Sequence, residues 1–374
     1  MKMEPISGKK IFNALKNQDC IILACNSRII PGVAKAVFKA AKDMDAALIM
    51  ELARSECNQH VGYTGLTPET FSKYLLEANK DVGHDVWALH ADHIGIKTGT
   101  REDIDDTKEL IDAQIKAGYT SFAIDASHLF NFEGKTVEEE LKPNIDVTIE
   151  LGKYIMEKMG NNEFGLEVEV GEIGRKGAEG MVLTKPEEAV TYIKKLKEAG
   201  LDPDVIAIAN GSTHGNIYDE QGNPIVQVSI SIEQTKKVAK ALRDAGFDVK
   251  IAQHGITGTP LELIKEKFPK GDIIKGNVAT LFQNIVFDAL KKYHPELYKE
   301  MFDWVIKNEP IEGKKPEEVF GKNGKYAVKV FFDRIYSMDE KCKKEIEAIS
   351  YKEAKNFIDA FNGKDSASIV RKTM

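Results

Sequence analysis

Residues 86–95 read VWALHADHIG, an apolar, β-prone run that stops on Asp92 and His93. Seven other short runs share its character: CIILACN (20–26), AALIMELA (46–53), SFAIDAS (121–127), GLEVEVG (165–171), VIAIANG (205–211), DVKIAQHG (248–255) and DIIKGNVA (272–279). With VWALHAD (86–92) they predict eight strands. Amphipathic stretches separate them, among them PGVAKAVFKAAKDM (31–44), REDIDDTKELIDAQIKAG (101–118), KPEEAVTYIKKLKEAG (185–200) and SIEQTKKVAKALRDAG (231–246). Three of these close on Ala-Gly, as expected where a helix ends in a left-handed glycine. Alternation of strand and helix implies parallel pairing through right-handed crossovers. Eight such units in about 280 residues predict an α/β fold, a TIM (β/α)8 barrel. A doubly wound open sheet is the alternative, but the first strand lacks the G-x-G-x-x-G of a dinucleotide-binding sheet. We expect residues 1–294 to form the barrel. Residues 295–374 should form a C-terminal helical extension packing on the barrel or on a partner subunit.

Composition sets outer limits. The 374 residues are 42% hydrophobic and 30% charged, with a net charge of −7, which suits a globular chain with a full core. The acidic balance argues against nucleic acid or an anionic membrane as partner. No run of apolar residues is long enough to span a bilayer, and the N-terminus reads as an amphipathic helix rather than a signal peptide. Cys20, Cys25, Cys57 and Cys342 form no C-x-x-C pair. Scattered in this way they fit a reducing, cytoplasmic setting, with Cys25 read as a buried thiol.

In such a barrel the C-terminal strand ends form the open face. Those ends supply Asn26, Glu51, His90 with Asp92 and His93, Asp125 with His128, Glu169, Asn210 and His214, His254, and Asn277. Five of the eight histidines of the chain fall there. Polar loops explain Asn and Asp well and repeated His poorly. The segments LHADHIG (89–95), IANGSTHGNIY (208–218) and IAQHGITG (251–258) each deliver one histidine: His93, His214 and His254. Brought together, three imidazoles would leave one position open, as a catalytic Zn²⁺ or another divalent transition metal requires. Asp92 would either carry a proton beside that metal or orient the histidine. Gly215, Gly255, Gly258 and Thr257 follow the two later histidines, and Asn277-Val-Ala279-Thr280 leads into a helix N-terminus; both features suit a phosphate. The loop GEIGRKGAEGMV (171–182) brings Glu172 and Glu179, a candidate base or a solvated turn.

These motifs resemble the class II, metal-dependent ketose-bisphosphate aldolases. His90-Ala-Asp92-His93 is similar to the family's H-x-D-H segment. Gly118–His128 resembles its G-[FY]-[TS]-S-x-M-x-D-[GA]-S-H strand, and Leu166–Gly174 its E-x-E-x-G-x-x-G strand and loop. The resemblance implies Zn²⁺ on His93, His214 and His254 with Glu169 beside it, Asp92 as proton donor and Glu179 as base. It implies phosphate contacts from Gly215, Gly255, Thr257, Gly258, Asn277, Ala279 and Thr280, a nearby monovalent cation, and Asn26 near the substrate. The expected substrate is a phosphorylated sugar. It would be fructose 1,6-bisphosphate first and tagatose 1,6-bisphosphate second, cleaved to dihydroxyacetone phosphate and an aldehyde such as glyceraldehyde 3-phosphate. The expected assembly is a homodimer or homotetramer. Three other readings stay open: a Schiff-base aldolase using Lys275, an unrelated zinc hydrolase or epimerase, and a non-catalytic accessory subunit of tagatose-bisphosphate aldolase. The last is suggested by Asn58-Gln59, Gly62-Tyr-Thr-Gly65 and Thr67-Pro68.

Overall fold

The computed structural model describes residues 3–171, 176–177, 180–213, 215–219 and 224–374, with 176, 177 and 180 by backbone alone. Glu172, Glu179 and His214 lie outside the described residues. Among the described residues eight strands build the barrel: β1 (Ile22–Asn26), β2 (Leu48–Ala53), β3 (Trp87–Gly95), β4 (Ser121–Asp125), β5 (Gly165–Glu169), β6 (Val205–Ala207), β7 (Lys250–Gln253) and β8 (Ile273–Val278); two short two-stranded ribbons lie outside it. They close into a barrel in the order β1-β8-β7-β6-β5-β4-β3-β2, every pair parallel. The barrel predicted from the strand–helix alternation is therefore the fold.

The helices begin and end where local chemistry directs. They are α1 (Gly8–Leu15), α2 (Val33–Asp43), α3 (Pro68–Lys80), α4 (Arg101–Lys116), α5 (Val137–Met159), α6 (Pro186–Glu198), α7 (Ile232–Asp244), α8 (Leu261–Lys267) and α9 (Thr280–Tyr293). Thr100, Thr136 and Ser231 each accept the backbone N–H three residues on, satisfying a donor the helix itself cannot. Gly118 and Gly246 leave α4 and α7 at φ 86° and 78°, a region costly for any residue with a Cβ.

Strand alternation divides the barrel interior into layers. At the bottom Ile22, Ala24, Ile49, Ala88, Val205, Ala207 and Ala252 pack with Ile11, Phe12 and Leu15 of α1, which closes that end. Two residues further along the same faces the layer turns ionic, with Glu51, His90, Glu167 and Lys275 all buried. The top layer is the open face.

The chain beyond residue 294 forms α10 (Pro295–Asn308), α11 (Pro316–Asn323), α12 (Ala327–Val330), α13 (Phe332–Tyr336), α14 (Glu340–Ala360) and α15 (Ser366–Thr373). Helix α14 lies against α2, α8 and α9, and α15 against α1. A Cβ on Gly32 would stand 2.7 Å from Ile346, so barrel and extension meet without a gap. Phe287, Tyr298 and Phe302 all pack against the Phe320 ring, with centroids 5.4, 5.3 and 5.1 Å away. Among the described residues no helix is long and apolar enough to cross a membrane.

Phe361 is fully buried, and a Cβ on Gly276 of β8 would lie 2.6 Å from its ring. Phe361→Ala should lower unfolding free energy in urea by about 3–5 kcal/mol. A loss under about 1 kcal/mol would mean the extension is no part of the barrel's core.

Candidate active site

The open face holds a cavity of about 320 Å³. Its floor is set by one irregularity. The β3–β4 register shifts between Ala91 and Ile94, so Asp92 and His93 together oppose a single β4 position. His93 sits at φ 36°, rare for a residue with a side chain. This bulge lets two consecutive side chains line the same cavity, where a regular strand would aim them to opposite faces.

His93 and His254 converge across the barrel, with Nε2 and Nδ1 3.0 Å apart. Each ring is held from its other nitrogen by carboxylate. Glu169 and Asp125 lie 2.9 and 3.2 Å from His93 Nδ1, and Glu167 lies 3.3 Å from His254 Nε2. Glu169, expected beside the metal, thus stands against the ring nitrogen that faces away from His254. Carboxylates behind imidazoles fix ring orientation in metal centres. Donor atoms of Asp92, His93 and His254 lie within 4.8 Å of one another, as do those of His93, Asp125 and Glu169. A set of imidazoles and carboxylates suits a divalent transition metal.

Electrostatics favour a cation there. Burial opposes charge on His93, but Glu169 and Asp92 overcome this and raise its pKa well above the usual value. Burial, reinforced by Asp125, pushes Glu169 up to about 8. Burial also disfavours the Asp92 anion, yet His93 and Lys275 outweigh it and keep Asp92 ionised. Asp92 Oδ1 accepts from Lys275 at 3.2 Å and from Asn277 at 3.1 Å.

Lys275 is fully buried and lies 2.7 Å from Glu167 and 3.0 Å from Glu51. Burial works against its charge, but the carboxylates of Glu167, Glu51 and Asp92 raise its pKa. It stays an ammonium, which is unsuited to Schiff-base attack. An ammonium only donates, so His90 Nε2, 3.0 Å away, must accept and carry its proton on Nδ1, toward Ser121.

The expected phosphate side is partly assembled. Gly215, Gly255, Thr257, Ala279 and Thr280 line the cavity. Ala279 gives α9 no side-chain cap; Thr257 Oγ1 instead accepts from Leu281 N at 3.3 Å, which ties the two expected phosphate segments together at that helix N-terminus. Gly258 does not line the cavity. At φ 88° the turn carries it behind the wall, where its carbonyl accepts from Gln227 N at 2.9 Å. Asn26 and Asn277 line the cavity, and each has a buried carbonyl oxygen with no hydrogen-bond partner among the described residues.

Among the cavity residues, Arg28, Glu56 and Lys325 escaped the sequence reading, and Tyr63 was quoted there without a place in the site. Glu56 accepts from Asn26 at 2.6 Å, from Arg28 at 2.7 Å and from Tyr63 at 2.7 Å. Arg28 also donates to Gln283 at 3.0 Å, near Thr280. Lys325 comes from the extension, with its ammonium 5.5 Å from the Tyr63 ring centroid. Burial and the charge of Arg28 both lower its pKa. Position beyond a strand end could have suggested Arg28, whereas no local pattern marks Lys325.

A family model described as fructose-bisphosphate aldolase class-II matches residues 6–352. The chain belongs to that family. Its members are generally metal-dependent. The fructose-bisphosphate aldolase of Helicobacter pylori is 29% identical over 215 residues, 52% of this chain and 58% of that protein. The chain therefore spans little more than half the length of that curated relative. The D-tagatose-1,6-bisphosphate aldolase subunit GatZ of Escherichia coli O157:H7 is 28% identical over 103 residues, 26% of this chain and 24% of that one. Among solved structures, a Campylobacter jejuni fructose-bisphosphate aldolase superposes with a TM-score of 0.63 at 20% identity, over 98% of both chains. The YdjI aldolase of Escherichia coli K12 gives 0.60 at 17% identity, over 96% of this chain and 98% of that one. At such identities these structures speak for the barrel alone.

Proton and metal compete for His93, so affinity for Zn²⁺ should fall as pH drops through its raised pKa, with a proton released on binding. Calorimetry in buffers of different ionisation enthalpy measures this; binding without proton release would contradict it. Lys275→Met should cost about 3–5 kcal/mol at neutral pH, since it leaves Glu51, Asp92 and Glu167 uncompensated. In urea titrations the deficit should shrink in acid as those carboxylates protonate, and a variant as stable as the parent would refute the charge balance.

Proposed function

We propose that the chain is a metal-dependent aldolase that reversibly cleaves a ketose bisphosphate to dihydroxyacetone phosphate and an aldehyde such as glyceraldehyde 3-phosphate. Fructose 1,6-bisphosphate is the first candidate and tagatose 1,6-bisphosphate the second. The observation that carries this reading is the His93–His254 pair beside a buried, ionised Asp92 in one cavity. His93 and His254, with His214 by its place in the sequence, would hold the ion. Bound there, a divalent cation supplies Lewis-acid polarisation of a carbonyl and stabilises negative charge developing next to it.

The chain's own groups do the rest. Asp92, ionised at rest, accepts the proton of the hydroxyl that becomes the aldehyde, and returns it in condensation. The unpartnered carbonyl oxygens of Asn26 and Asn277 are free to accept from sugar hydroxyls. Gly215, Gly255, Thr257 and Thr280 hold one phosphate at the α9 N-terminus, fixing the orientation that carbon–carbon cleavage requires. Arg28 and Lys325 supply positive charge for a second phosphate, which favours a bisphosphate substrate. Glu179 keeps its role as base by resemblance, and homodimer or homotetramer assembly stays part of the proposal.

The GatZ match supports a second reading, an accessory subunit without its own turnover. Cleavage assays of the purified chain across phosphorylated ketoses, with and without chelator, separate the two. We expect chelation to abolish cleavage and Zn²⁺ to restore it. Asp92→Asn should lower kcat about 10²–10⁴-fold while metal content stays unchanged. Lys325→Met should raise KM for the bisphosphate more than for a ketose monophosphate. Zinc-loaded chain that cleaves none of them would favour the accessory reading, and cleavage surviving chelation would exclude the metal.

A further inference from the structure

Strand β6 ends at Ala207, and the chain then makes a long excursion before α7 begins at Ile232. No helix among the described residues steadies it. Yet this loop carries Gly215 into the cavity wall, where a Cβ on it would touch the Thr280 hydroxyl at 3.9 Å. A loop that supplies a phosphate contact must be held from outside the site.

Its inner ties run to the barrel. Gln227 N donates to Gly258 O at 2.9 Å and the Gln227 side-chain amide donates to Gly255 O, while Ser231 N donates to Asn210 O at 2.7 Å and closes the loop on itself at its base. The outer tie runs to the C-terminal extension. Ile217–Tyr218 pairs antiparallel with Pro224–Ile225, and Tyr218 reaches across to α11. There its hydroxyl occupies the place a side chain at Gly321 would take, so a Cβ on Gly321 would overlap it. Asn216 Nδ2 donates to the same hydroxyl at 3.3 Å, and Lys322 Nζ stands 5.7 Å from the ring centroid.

Gly321 lies inside α11, where glycine is a poorer helix former than alanine. The missing side chain has a use: it is the socket for Tyr218. The same stretch of extension continues to Lys325, which enters the cavity wall itself. One segment therefore touches the site twice, directly through Lys325 and indirectly through the β6 loop.

We propose that Tyr218 and Gly321 are positioning residues, a latch by which the extension sets how firmly the β6 loop grips a phosphate. The proposal rests on the functional reading above for the identity of the ligand, but the contact itself is independent of that reading. Two readouts on the full chain keep them apart. The first is amide hydrogen exchange across residues 215–219 and 224–231. The second is calorimetric binding of inorganic phosphate to zinc-loaded protein. Gly321→Ala should expel the tyrosine, speed exchange in the loop and weaken phosphate binding about tenfold, without lowering the thermal midpoint. In a Tyr218→Ala background the socket has no occupant, so adding Gly321→Ala should change phosphate affinity by less than about twofold.

Unchanged exchange in Gly321→Ala would overturn the latch. Faster exchange with unaltered phosphate affinity would overturn its positioning role. An equal penalty in both backgrounds would show that Gly321 acts through something other than Tyr218, and would also overturn it. Parent protein that binds neither zinc nor phosphate would instead sink the functional reading and the role built on it, with the exchange data still reporting on the contact.

Discussion

A regular strand cannot present two consecutive side chains to one cavity, yet Asp92 and His93 both line this one. The β3 bulge, with His93 forced to φ 36°, is the constraint on which the rest of the site depends. Strain of this kind persists only where the surroundings over-determine it. Here Glu169 and Asp125 hold His93 from one nitrogen while His254 meets the other. Asp92 is fixed in turn by Lys275 and Asn277. Remove the bulge, and either the acid or the imidazole would point into the helix layer.

Charge is the second organising constraint. Five buried carboxylates, Glu51, Asp92, Asp125, Glu167 and Glu169, share the barrel interior with one buried lysine, Lys275. Buried charges are tolerated when paired. Lys275 answers Glu51, Asp92 and Glu167. Asp125 and Glu169, with Asp92, draw positive charge toward His93, as its raised pKa records. The same potential would draw a divalent cation to the donors of His93 and His254.

Much of this was legible in the sequence because barrels separate their signals in space. Apolar runs fix the strands, and polar residues at their ends fix the open face, so Asp92, His93, His254, Asn26 and Asn277 could be found by position alone. The bulge could not, since nothing in HADH says that the backbone must break register. Nor could the side of His93 that Glu169 takes, or the turn that carries Gly258 behind the wall, because both depend on backbone angles set by neighbouring loops. Arg28, Glu56 and Tyr63 belong to loops after β1 and β2 whose function is a mutual hydrogen-bond network, invisible to spacing rules. Lys325 lies nearest the far end of the chain and joins the site only because α11 and α12 fold back over the barrel mouth.

The central claim is that His93 and His254 share one metal ion. X-ray absorption at the zinc edge of the loaded protein tests it most directly. The account predicts a low-coordinate nitrogen and oxygen shell with imidazole scattering from more than one ring, reduced when His254 is replaced by alanine. A shell without imidazole scattering, or one unaltered by that replacement, would contradict it.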